Sequence, residues 1–308
     1  MTTLLDVAGV SKRFSTGGLL GRRVVNAVED ASFSLSADKP EIFTIIGESG
    51  SGKTTLARMI LGLEDATEGE IRVRGDRVSR KDGRRKRLEY MSHVQPVFQN
   101  PFEAFNPLKR VDRYLESTAR RFLKTRDRNV IAQASDTALQ KVGLSLAEIG
   151  GRFPHEMSGG QLQRTAIARA LIPNPRLLIA DEPVSMVDAS LRMSIVNLLR
   201  SLRDDHGVSV IYITHDLATA YYISDRLMIM QRGRIVEMGP ARAVLDAPEH
   251  AYSRLLKDSV LSTEDAGEGR LDTNRAAIRE VTALAGRPSL LVEQPDGRLL
   301  RVYDNTEN

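Results

Sequence analysis

The chain has 308 residues, 41% of them hydrophobic and 27% charged, with a formal net charge of +4. That length fits one large domain or two modest ones with a real core, and the composition is ordinary for a globular protein. The absence of cysteine excludes disulfides, thiolate metal sites and iron–sulfur clusters. No run of roughly 18 apolar residues occurs, so no spanning helix is expected. The opening MTTLLDVAGVSKRF also lacks the layout of a signal peptide, which makes the cytoplasm the expected compartment.

Residues 4–14 and 24–35 contain strand-like stretches around a glycine-rich turn, Thr16-Gly17-Gly18. They are expected as antiparallel strands laid beside the main sheet. Phe14 stands ahead of the first chemical motif, where an aromatic ring either stacks on a purine or fills the core. Residues 41–46 form a short apolar run with β-branched side chains, which predicts a buried parallel strand. That strand feeds Gly47-Glu48-Ser49-Gly50-Ser51-Gly52-Lys53-Thr54, followed at once by Thr55. Leu56, Met59 and Ile60 then recur at helical spacing. Strand, glycine loop and helix together make this a phosphate-binding P-loop.

The residue types follow from the chemistry. A triphosphate needs many converging donors, and backbone N–H groups approach closely only where side chains are absent, as at Gly50 and Gly52. The helix opening near Lys53 aims unpaired N–H groups and its positive dipole end at the phosphates. Lys53 is expected to reach the β- and γ-phosphates, and the Thr54 hydroxyl to ligate Mg²⁺.

Residues 69–75 alternate and predict a strand. Arg77, Arg80, Lys81, Arg84, Arg85, Lys86 and Arg87 follow with little aromatic interleaving, which reads as a solvated basic loop rather than a nucleic-acid site. Residues 93–98 predict another strand, ending at Gln99-Asn100-Pro101. From 112 to 142 the pattern is helical, with Leu115, Ala119 and Phe122 on one face and Ile131, Ala134, Ala138 and Val142 on another. Met157-Ser158-Gly159-Gly160-Gln161 then runs into a helix, which makes a second anion-binding helix start.

Residues 177–183 predict a buried strand that ends in Asp181 and Glu182. A carboxylate there serves a Mg²⁺ shell, and the next one can orient water for attack on the γ-phosphate. Asp181 follows four apolar residues, so a cation or donor must meet it. A helix is expected over 189–203 and a strand over 208–213, ending at Thr214-His215-Asp216. His215 thus lies at a strand's carboxyl end, where open α/β sheets place ligand contacts. His93, His155, His206 and His250 have no metal-like spacing and read as structural or exposed. Residues 225–231 and 234–238 predict a hairpin about Arg232-Gly233. Beyond Lys257, residues 262–269 read as a polar linker and 274–285 as a helix. Strands at 289–292 and 298–303 flank the turn Pro295-Asp296-Gly297.

Gly47 to Thr54, Gln99, Ser158-Gly159-Gly160-Gln161, the strand ending in Glu182, and His215, in that order, resemble the ATP-binding cassette family. The match covers residues 5–257. The resemblance implies an α/β P-loop core with an antiparallel β subdomain, a helical subdomain over about 102–172 and a short C-terminal appendix. Residues 1–258 are then a nucleotide-binding domain and 259–308 an accessory extension. It implies an ATPase working as a head-to-tail dimer. Each ATP would be held by one subunit's P-loop and the other's Ser158-Gly159-Gly160-Gln161 helix. Carried onto this sequence, Lys53 binds phosphate, Thr54 and Gln99 contact Mg²⁺, and Asp181 holds the metal through water. Glu182 is the catalytic base, His215 contacts the γ-phosphate, Asp188 lies on the loop crossing the dimer interface, and Phe14 stacks on adenine.

Met157 stands where the family usually has leucine, and Ser185-Met186-Val187-Asp188 departs from the commoner Ser-Ala-Leu-Asp. Both exchanges are apolar and remove no chemical group. Val97-Phe98-Gln99-Asn100-Pro101-Phe102 with Asn106-Pro107, and the later Pro248-Glu249-His250-Ala251-Tyr252, resemble importer subunits for peptides, nickel and some oligosaccharides. Ala251 replaces a usual proline and Phe105 a usual leucine.

Such a subunit is expected at the cytoplasmic face of the inner membrane as a peripheral protein. Its expected partners are two transmembrane permease subunits, a second cassette (a copy or a related chain) and, through the complex, an extracellular or periplasmic solute-binding protein. Phe102 and Phe105 are expected as exposed anchors for the permease; the alternative is that both pack internally under the helical insertion. The alternative is a cassette ATPase acting on DNA or ribosomes. Relatives of that kind usually carry two cassettes, coiled-coil arms or zinc cysteines, which this sequence lacks.

Overall fold

The computed structural model describes residues 2–16, 23–100, 104–261, 278, 279, 281–284 and 287–303. Its centre is an eight-stranded sheet in the order β11-β12-β10-β9-β3-β8-β7-β6. The parallel strands are β3 (Ile42–Ile46), β6 (Val94–Val97), β7 (Leu177–Asp181), β8 (Ser209–Thr214) and β9 (Arg226–Gln231). Their near-continuous apolar runs follow from burial on both faces. Phe43, Ile45, Leu177, Ile179, Ile211 and Ile213 point to one face, toward α1 (Lys53–Ile60). That face also meets a four-stranded antiparallel sheet, β2-β1-β4-β5. Its strands are β1 (Thr3–Thr16), β2 (Arg23–Ser36), β4 (Glu68–Val73) and β5 (Asp76–Arg77). Phe33 of β2 stacks on Phe43 of β3 with centroids 4.9 Å apart, joining the two sheets.

The alternate residues Ile42, Leu178, Ala180, Val210 and Tyr212 face the helical layer. It comprises α3 (Asp112–Phe122), α4 (Arg128–Gln140), α5 (Leu146–Ile149), α6 (Gly159–Leu171) and α7 (Ala189–Asp204). The helical pattern expected from 112 to 142 is therefore two helices. Asp127 ends the gap between them by accepting hydrogen bonds from the amides of Asn129 and Val130.

The basic stretch is not all loop. Arg77 lies on β5, and Arg84 to Arg87 open α2 (Arg84–His93), an exposed helix with no buried residue. Arginine and lysine favour helix, but a stretch without apolar periodicity carries no pattern that marks one. His93 closes that helix, so the strand expected at 93–98 is shortened to β6, and Phe98 is exposed. Phe105 is not an exposed anchor. It is 2% accessible, packs edge-on against Tyr114 and lies under the Arg169 guanidinium. Phe102 lies outside the described residues, as do the 262–269 linker, Gly17 and Gly18, and all of the 274–285 helix except 278, 279 and 281–284.

The C-terminal strands β11 (Ser289–Glu293) and β12 (Leu299–Tyr303) form the expected hairpin and extend the main sheet. β12 pairs with β10 (Arg234–Pro240), which itself pairs with β9. Three helices, α8 (Leu217–Ile223), α9 (Ala241–Asp246) and α10 (Ala251–Leu261), pack on this end. Before α10, Glu237 accepts the amides of Glu249 and His250. Arg298 ties Asp296, Glu249 and Glu237 together.

Buried His250 is pushed down to about 4, by desolvation first and then by Arg254 and Arg301. The unfolded chain therefore binds one more proton between its ordinary 6.5 and about 4. Stability contributed by neutral His250 is complete above 6.5 and is lost as the pH falls through about 4, by up to about 3 kcal/mol. Melting temperature measured against pH is expected to drop across that window in the wild type. It should be flatter there in His250→Asn, which cannot take up the proton.

Candidate active site

Strand register assembles the site. Ile46 of β3 lies opposite Thr214 of β8, Asp181 of β7 opposite Ile213, and Val97 of β6 opposite Ala180. The residues that follow these ends are Gly47, His215, Glu182 and Gln99, so parallel pairing delivers all four to one edge. The P-loop backbone is packed too tightly for a side chain at Gly47 and Gly52, whereas the space around Gly50, whose φ is +81°, is open. A Cβ on Gly52, whose φ is +103°, would lie 2.2 Å from the Ala27 carbonyl oxygen, and one on Gly47 would lie 2.1 Å from that of Met230. Lys53, at the start of α1, is buried. Its Nζ donates to the carbonyls of Gly47 and Glu48, 2.8 Å each, and to Ser51 Oγ at 3.4 Å. Burial pushes its pKa down, opposed by the nearby carboxylates of Glu182, Asp181 and Glu48.

Asp181 is pushed up, chiefly by desolvation; a hydrogen bond from Thr54 opposes this and Glu182 adds to it. The donor that the sequence required for Asp181 is thus the Thr54 hydroxyl. Next in sequence, Glu182 adopts a left-handed backbone with φ of +46°. A non-glycine residue there costs on the order of 1 kcal/mol. Its amide donates to the Ile213 carbonyl at 2.9 Å, and its own carbonyl accepts from the amide and hydroxyl of Ser185. Those bonds hold the conformation that turns its side chain toward Gln99 and His215. Gln99 Nε2 donates to Glu182 Oε2 at 3.0 Å, and His215 Nδ1 lies 3.2 Å from Oε1. With Nδ1–H donating to the carboxylate, Nε2 of His215 is left for a ligand. Both Glu182 oxygens therefore accept from side chains of neighbouring strand ends.

Phe14 lies on β1 with 37% of its surface exposed, and Lys12 Nζ sits 4.9 Å from the ring centroid. The core-filling alternative for Phe14 is thereby set aside. Ser158 is the N-cap of α6: its hydroxyl accepts the Gln161 amide at 3.1 Å, and the Gln161 side chain accepts the Ser158 amide at 3.1 Å. Gly160 admits Leu191 of α7, since a Cβ there would lie 3.0 Å from its Cδ1. Among the described residues no hydrogen bond joins Ser158 to the P-loop, Asp181 or Glu182. Ser158, Met186 and Asp188 are exposed instead. Two contacts escaped the sequence reading. The Tyr252 hydroxyl accepts the Glu48 amide, and Gly233 donates its amide to the Ser51 carbonyl. Tyr252 stood in a quoted motif, but only the fold reveals what it touches.

Among the described residues no three His, Asp or Glu side chains cluster to chelate a metal. One desolvated carboxylate, one hydroxyl and one amide suit a hard cation that shares its ligands with phosphate oxygens.

Residues 28–185 match the ABC transporter family model. The oligopeptide transport ATP-binding protein OppF of Bacillus subtilis is 37% identical over 259 residues, 83% of this chain and 82% of that one. The glutathione import ATP-binding protein GsiA of Shigella dysenteriae is 40% identical over 261 residues, 83% of this chain and 41% of that longer one. A dimeric ATP-binding cassette solved in a post-hydrolysis state with ADP and Pi has a TM-score of 0.66 at 26% identity. The match spans 77% of this chain and 99% of that one. With that family match lying over the P-loop, Gln99, Ser158 and Glu182, the chain belongs to the ABC transporter family as one of its ATP-hydrolysing members.

Proposed function

We propose that the chain is the energy-coupling ATPase subunit of a bacterial importer for peptides or related small solutes, including glutathione-like peptides, nickel and oligosaccharides. The observation that carries the mechanism is Glu182, held at both oxygens by Gln99 and His215 beside the P-loop. Lys53 and the P-loop amides bind the phosphates, and Phe14 stacks on adenine. Thr54, Gln99 and Asp181 hold Mg²⁺, which when bound neutralises phosphate charge. Glu182 accepts the proton of the attacking water through a lone pair that the Gln99 and His215 contacts leave free on its carboxylate. Gln99 leads into the segment that reaches the partner, so its bond to Glu182 ties the base to the docking surface. The relatives named for oligopeptide and glutathione transport support the solute class.

Docking of a permease subunit falls on the loop from Phe102 to Arg110, where Leu108 rather than Phe105 is the exposed anchor among the described residues. Leu108 is 84% exposed, whereas Phe105 is core. Arg84, Leu88, Arg113, Glu116, Arg120 and Arg121 line an open groove between α2 and α3. The excess of guanidinium groups there suits an acidic cytoplasmic segment of the permease. No helix among the described residues is long and apolar enough to cross a membrane, so the path is supplied by separate subunits.

Uptake of labelled di- and oligopeptides by cells lacking this chain tests the proposal. Uptake is expected to be lost on deletion and restored by the wild type. Leu108→Asp should not restore it, while the purified variant keeps its fold and nucleotide affinity. Undiminished peptide uptake after deletion would overturn the solute class, and full rescue by Leu108→Asp the docking surface.

A further inference from the structure

We infer that Tyr252 is a positioning residue for the P-loop, and that the C-terminal hairpin reaches the phosphate site through it. Tyr252 lies at the start of α10, 204 residues from Glu48 and 4% exposed. Its hydroxyl accepts the Glu48 N–H at 2.9 Å. That N–H shares one planar peptide with the Gly47 carbonyl, which accepts from Lys53 Nζ at 2.8 Å. Tyr252 therefore holds one end of a rigid unit whose other end holds the phosphate-binding ammonium. Rotation of that peptide would move the Lys53 anchor, and without the hydroxyl nothing named here fixes its plane from the N–H side.

The link continues outward. The Tyr252 amide donates to His250 Nδ1 at 3.1 Å, so neutral His250 carries its proton on Nε2, which faces the Tyr303 hydroxyl at 3.1 Å. Tyr303 closes β12, and Arg301 two residues earlier donates to the Ile235 carbonyl of β10 at 2.6 Å. A second strut starts from the same place. Gly233, in the turn between β9 and β10, donates its amide to the Ser51 carbonyl at 2.9 Å. The P-loop is thus held at Glu48 and at Ser51 by structure that β12 grips. This gives the C-terminal hairpin a role in nucleotide affinity that the sequence left open.

The inference rests on the P-loop being the nucleotide cradle and is independent of the transported solute. The test is Tyr252→Phe in the full chain, which keeps the ring and removes the acceptor. Removing the one hydrogen bond that orients this partly buried amide is expected to weaken ATP and ADP affinity about 3–10-fold. KM for ATP should rise by the same factor while kcat stays within about twofold. AMP, which lacks the β- and γ-phosphates that Lys53 meets, should bind as before. A merely structural loss would lower the melting temperature without that discrimination among nucleotides. Tyr303→Phe leaves Tyr252 in place and should shift ATP affinity in the same direction by about twofold, less than additively with Tyr252→Phe. Lys53→Ala serves as the control. Should it bind ATP like the wild type, the cradle reading falls. Should Lys53→Ala weaken binding while Tyr252→Phe matches the wild type for ATP, ADP and AMP, only the positioning role falls. Full additivity of the two tyrosine changes would overturn the link to the hairpin.

Discussion

Glu182→Gln is expected to lower ATP turnover by about 10²–10⁴ while leaving ATP bound, the range for loss of a positioned general base. The substitution is nearly isosteric. Glutamine tolerates the same left-handed backbone about as well, and its amide can still meet Gln99 and His215, so the strand-end geometry survives. What disappears is the one group near the P-loop with both the basicity and the placement to take a proton from water. Asp181 cannot replace it, because its carboxylate is engaged by Thr54. Single-turnover hydrolysis together with nucleotide binding by the purified variant measures both halves of the expectation. Turnover at the wild-type rate would remove Glu182 from the chemistry. Loss of binding as well would mean that the residue shapes the pocket rather than the reaction.

The parts of this site that were legible in the sequence are those built from a strand end and the residue after it. A buried parallel strand is a contiguous apolar run, so its carboxyl end can be located to within a residue. Gly47, Asp181 and His215 were found that way, and in-register pairing then made neighbours of residues far apart in the chain. Long-range side-chain contacts carry no such local signal. The Gln99–Glu182 and Tyr252–Glu48 bonds connect residues 83 and 204 positions apart, and no periodicity encodes either. Phe105 shows the same limit for burial. An aromatic in a loop reads as exposed until the helix that covers it is known, and here Tyr114 and Arg169 cover it. At α2 the difficulty is opposite, since a basic helix with no fully buried residue, only Tyr90 packing on the core, leaves little but propensity as a sign.

Ser158→Arg is expected to leave nucleotide affinity of the isolated subunit nearly unchanged and to abolish ATP-driven pairing of two cassettes. The α6 start has the features that suit an anion: a capped turn with glycines at its first two positions and a positive dipole end. In this chain the capping bonds of Ser158 close on its own first turn, and Ser158 and Asp188 are exposed. Two phosphate-binding helix starts and one triphosphate per chain are reconciled if the second serves a neighbour. A γ-phosphate bridging two subunits favours the closed pair strongly, and hydrolysis removes the bridge. An arginine at that point brings bulk that holds the two subunits apart and removes the hydroxyl beside the phosphate, which should raise the dissociation constant of the pair by more than about 100-fold. It also removes the N-cap, at roughly 1 kcal/mol of stability. Ser158→Asp separates these effects, because aspartate caps as well as serine but repels phosphate. Both changes are placed in the Glu182→Gln background, which holds ATP without hydrolysing it, and sedimentation with ATP and Mg²⁺ reads the mass. Monomers are expected for both, with the melting temperature lowered only by the arginine. In a mixed pair of one Ser158→Arg and one otherwise wild-type subunit, hydrolysis should fail at the wild-type subunit's P-loop. A dimer that survives both substitutions, or ATP affinity lost in the monomer, would show that this helix start does not act across the interface.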